Sequence, residues 1–71
     1  MLSIDQIVAY LRQIITQQRL AADKQGLWDT QRIAGMLMEA AQGVGDRETA
    51  YTFRVIAAEA ANKIEELDRE A

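Results

Sequence analysis

Cysteine, histidine and proline are all absent from this chain of 71 residues. Without cysteine there is no disulfide to compensate for small size, no thiolate zinc site and no thiol nucleophile. Without histidine the commonest general base and the commonest metal ligand are missing, and the Glu-x-x-His pairs of metal-binding helical bundles have nothing to complete them. Without proline the only strong punctuation comes from four glycines, at positions 26, 35, 43 and 45. Aromatic residues are few as well: one tryptophan, two tyrosines and one phenylalanine. No apolar run approaches the roughly 20 residues of a membrane-spanning helix. Met1 to Leu11 has neither the basic start nor the small-residue cleavage site of a signal peptide, so the expected location is the cytoplasm.

What is present is a chain that is half apolar and mildly acidic, with a net charge of -3 and a pI near 4.7. That balance argues against a non-specific coat for nucleic acid or an anionic membrane surface. A chain this short makes one domain, residues 1–71, in which a single core barely offsets the entropy of ordering the backbone, and a second chain would add to it.

The apolar residues recur at helical spacing throughout. Ser3 with Gln6 forms a capping-box pair ahead of Ile4, Ile7, Val8, Leu11, Ile14 and Ile15, and Leu2 with Ile7 has the spacing of a hydrophobic staple. This predicts a first helix over about 4–24 that stops at Gly26. Asp29 is the expected N-cap of a second helix over about 30–42, with Trp28 and Ile33 as its staple and Leu27–Thr30 as a turn. Gly35 inside that helix costs about 1 kcal/mol relative to alanine, which suggests close approach of a neighbouring helix. Asp46 opens a third helix over about 46–68, along which Ala50, Phe53, Ala57, Ala60, Ile64 and Leu67 make the stripe. Glu59–Lys63 and Glu65–Arg69 have the favourable i to i+4 order, while the acidic tail opposes the helix dipole and is expected to fray.

Short connections make the three helices run up, down and up, an all-α antiparallel bundle. The second helix is the centre of the pattern. Ile33, Leu37, Ala40 and Val44 form one apolar row, widened by Met36, and Ala34, Met38 and Ala41 form another. One helix of three cannot bury residues all round. The expectation is that the first row packs inside and the second, centred on Met38, is left for another copy. Trp28, Ala34, Met36, Met38, Ala41, Tyr51 and Val55 are the candidate interface residues of a homodimer.

Chemistry is sparse. Glu39 is the one acid in a strongly apolar segment, and a water-facing polar stripe accounts for it. Ser3, Thr16, Thr30, Thr49 and Thr52 have no adjacent base to make a nucleophile, and Gly43-Val44-Gly45 lacks the rest of any phosphate-binding fingerprint. No catalytic residue, cofactor or metal site is expected. The segment from Gly43 to Arg54 carries an alternative: a helix-turn-helix-like reader of nucleic acid in which Arg47, Thr49, Thr52 and Arg54 meet the ligand. The length of the preceding helix, Glu48 and the acidic balance weigh against it. A further alternative is an acidic adaptor or inhibitor that holds a basic partner through the tail from Glu65 to Ala71. The favoured expectation is a non-enzymatic, self-associating interaction module.

Overall fold

A computed structural model describes all residues, 1–71. The chain forms three helices, α1 (Ile4–Leu20), α2 (Lys24–Gly43) and α3 (Arg47–Glu70), packed as a three-helix bundle of 40 × 21 × 15 Å. None of them is long and apolar enough to cross a membrane. Two ion pairs set the direction of the outer helices: Arg12 with Glu59 at 3.3 Å, and Arg19 with Glu66 at 3.2 Å. Each spans 47 residues, so α1 and α3 run parallel, with α2 antiparallel between them in sequence.

Each helix begins on a side-chain cap. At α1 the Ser3–Gln6 capping box closes, the Gln6 N–H donating to Ser3 Oγ and the Ser3 N–H to Gln6 Oε1. The corner after α1 departs from the expected stop at Gly26. Ala22 takes the left-handed conformation, φ 52°, where the Asp23 N–H donates to the Gln18 carbonyl and the Ala22 N–H to the Arg19 carbonyl. Asp23 then caps α2 by accepting from the Gly26 N–H at 2.9 Å. The second helix therefore starts two turns earlier than the Asp29 cap implied, and Leu27 and Trp28 lie on it rather than in a turn. Gly26 sits in the first turn because a Cβ there would meet the Asp23 carboxylate oxygen at 2.3 Å. The corner after α2 repeats the arrangement, with Gly45 at φ 78°, the Asp46 N–H donating to the Ala41 carbonyl, and Asp46 capping α3.

The core is drawn from all three helices. Leu11 and Ile15 come from α1, Leu27 and Ala34 from α2, and Phe53, Ile56, Ala60, Ile64 and Leu67 from α3. Packing is most extensive between α2 and α3, while α1 lies over them less completely. Leu27, Phe53 and Ile56 are the largest fully buried side chains. Thr30 is the one buried polar residue, and its hydroxyl donates to Gln18 Oε1 at 2.9 Å, joining α1 to α2 at the corner.

The acidic end of α3 is held. Arg19 reaches Glu66 and Glu70, and Lys24 pairs with Asp68, so basic groups at the α1–α2 corner offset the carboxylates that oppose the dipole. The helix accordingly runs to Glu70. The pairs expected along α3 give way to other partners: Glu59 binds Arg12 across the bundle, and Lys63 binds Glu66 one turn on.

Candidate interaction surface

The heptad row that fills the interior of α2 is Leu27, Thr30, Ala34, Met38 and Ala41, with Leu27, Thr30, Ala34 and Ala41 buried and Met38 half-buried against the core. The row of Ala34, Met38 and Ala41, expected at the surface, packs inside, and of the row expected inside only Leu37 packs against the core. Ala34 and Ala41 are buried, Ala41 at the floor of the groove between α1 and α2, whereas Ile33 is 48% exposed, Met36 63% and Val44 83%. The reason is the early start of the helix. Once Leu27 and Thr30 lie on it, they extend the row of Ala34 and Ala41 and turn that row inward, and the row of Ile33, Leu37, Ala40 and Val44 sits about a quarter-turn away, toward α1.

That displaced row borders an open groove of roughly 300 Å³ between the start of α1 and the end of α2. Ile4, Ile7, Leu37, Ala40 and Val44 form its walls and Phe53 contributes to its lining, with Asp46 and Thr49 at one end. Leu2, Ile7 and Tyr10 continue the apolar surface along α1, where Leu2 and Tyr10 are exposed. No Lys, Arg, Asp or Glu interrupts the row on α2 itself. Gly35, read as a point of close helix approach, has nothing within 4 Å of where its Cβ would stand.

The remaining candidate residues do not gather into one patch. Met38 lies in a shallow depression of roughly 180 Å³ with Tyr51, Ala50, Arg47 and Arg54, while Met36 points away on the outer side of α2. Tyr51 is exposed and Val55 half-buried, both on α3. Trp28, half exposed, stands at the other end of the bundle beside Gln31, Asn62, Glu65 and Asp68, where Gln31 Oε1 is buried without a partner.

The residues considered for nucleic-acid contact have mostly local tasks. The Thr49 hydroxyl and N–H both donate to the Asp46 carboxylate, at 2.7 and 3.1 Å, and hold its pKa below the ordinary 3.8. The Thr52 hydroxyl donates to the Glu48 carbonyl at 3.1 Å. Arg47 and Arg54 flank the Met38 depression. α2 lies antiparallel alongside α3, with Gln31 near Ala61 and Met38 near Tyr51 and Arg54.

Glu39 is exposed, as its polar stripe implied. No group of three or more Asp or Glu side chains converges in a way that could hold a metal ion. The strongest electrostatic feature is the clamp at the far end: the Arg19 hydrogen bond, followed by that of Lys63, keeps the Glu66 carboxyl below its ordinary 4.5. It joins α1 to α3 and faces no cavity. What the surface can do chemically is bury apolar area. No protein-family model, no curated protein and no solved structure matches this chain.

Proposed function

We propose that this protein is a non-enzymatic helical interaction module that self-associates, with the homodimer as its working form and the α1–α2 face as its contact surface. The observation that carries this is the apolar surface of Ile4, Ala40 and Val44 at the start of α1 and the end of α2, exposed in the single chain beside the groove that Ile7 and Leu37 line. Contiguous apolar patches of this kind mark interaction sites. The protomer is elongated, exposes 5032 Å² in all and has only 12 of its 71 residues buried, so it has little interior of its own and a second chain would add to it.

Mass action supplies the test. If folding is coupled to pairing, the melting temperature falls on dilution, whereas a lone bundle melts at one temperature whatever its concentration. Thermal melts from about 1 to 100 μM should therefore rise with concentration, and coincident curves would contradict the proposal.

A further inference from the structure

At the end of the bundle away from the α1–α2 groove, a depression of roughly 350 Å³ lies between α2 and α3. Trp28 and Gln31 line it from α2, and Asn62, Glu65 and Asp68 from α3, so every charged group on its wall is negative. Trp28 is 50% exposed and keeps half of its surface for something outside the core. Gln31 Oε1 is withdrawn from water and meets no donor, which costs stability until a donor arrives. Asp68 holds Lys24, and Arg32 is turned to Asp29 at 4.0 Å. Glu65 is exposed and joins none of the ion pairs of the chain, not even with Arg69 one turn further along α3.

An indole ring attracts a cation laid on its face, a free carboxylate takes paired N–H groups, and an orphaned amide oxygen takes another. A guanidinium answers all of these together, because it is planar, permanently charged and carries only donors. An ammonium has the charge without the plane. From this we infer that the depression binds the guanidinium of an arginine side chain presented by a basic partner peptide. The plane lies against Trp28, paired N–H groups meet the Glu65 carboxylate, and a further N–H goes to Gln31 Oε1, which the half-buried side chain presents by turning its terminal amide. The net charge of -3 draws a basic segment toward the chain in general, and the depression selects where its arginine settles. This site goes beyond the self-association proposed above, lies on a different face and stands or falls without it.

The single tryptophan of the chain lies in the site, so its fluorescence reads occupancy directly. Titration with acetyl-Gly-Arg-Gly-amide at constant ionic strength should shift the emission saturably. The same peptide with citrulline, an uncharged isostere, should give no shift, and the lysine peptide should bind about threefold or more weaker. Glu65→Gln and Gln31→Leu should each weaken the arginine peptide about threefold or more, with the helical circular dichroism of both retained. Gln31→Leu removes an acceptor that has no donor, so it should melt no lower than the wild type while binding less. Glu39→Gln, an exposed acid outside the depression, should bind as the wild type does. A flat titration, an equal response to the lysine or citrulline peptide, or unchanged affinity in Glu65→Gln or Gln31→Leu would overturn the site.

Discussion

Single residues decide which way this chain turns. Ala22 and Gly45 hold equivalent places, each the left-handed residue after a helix and each followed by an aspartate that caps the next helix. Glycine announces the second corner in the sequence, because a positive φ costs it nothing. Alanine conceals the first, since nothing in an Ala-Ala-Asp run distinguishes a left-handed alanine from a helical one, and Gly26 three residues on looks like the stop. Gly35 is the converse case, a glycine with no conformational or packing task, its backbone helical and the space beyond its Cα empty. Gly35→Ala should therefore stabilise the fold by about 1 kcal/mol, a rise of about 4–8 °C in a thermal melt. Gly26→Ala should show no such gain, because the added methyl displaces the Asp23 cap. An unchanged or lower melting temperature for Gly35→Ala would mean that the helix is contacted there.

At the scale of the element, three helices and their antiparallel order were legible, since the apolar spacing and the Ser3 and Asp46 caps are explicit in the residues. Which row of α2 faces inward was not. Both rows are apolar, so the choice depends on where the helix begins, and that rests on the concealed corner at Ala22. Of the sequence-derived interface set only Ala41 lines the α1–α2 groove, and it is buried at its floor. The long-range ion pairs were equally hidden, because they depend on the parallel alignment of α1 with α3 rather than on spacing along one helix. These pairs carry a pH dependence. Glu66 has a lowered pKa in the fold, so its contribution to stability is complete above the ordinary value of 4.5 and is lost as the pH falls through the lower folded value. Thermal melts between about pH 5 and pH 3 should show the wild type losing more stability than Glu66→Gln, which cannot titrate there, and parallel losses would show that the Arg19 clamp adds nothing.

For the molecule as a whole, length limits how much the fold can bury. A chain of 71 residues with only 12 buried has little interior. The sequence signalled surplus apolar area on α2 without locating it. The bundle leaves Ile4, Ala40 and Val44 exposed beside the groove between α1 and α2. Sedimentation equilibrium on the unmodified protein at about 10–100 μM tests the central claim most directly. A mass near twice the 8.0 kDa of one chain, falling toward one chain on dilution, is the predicted result, and a single-chain mass throughout that range would contradict it.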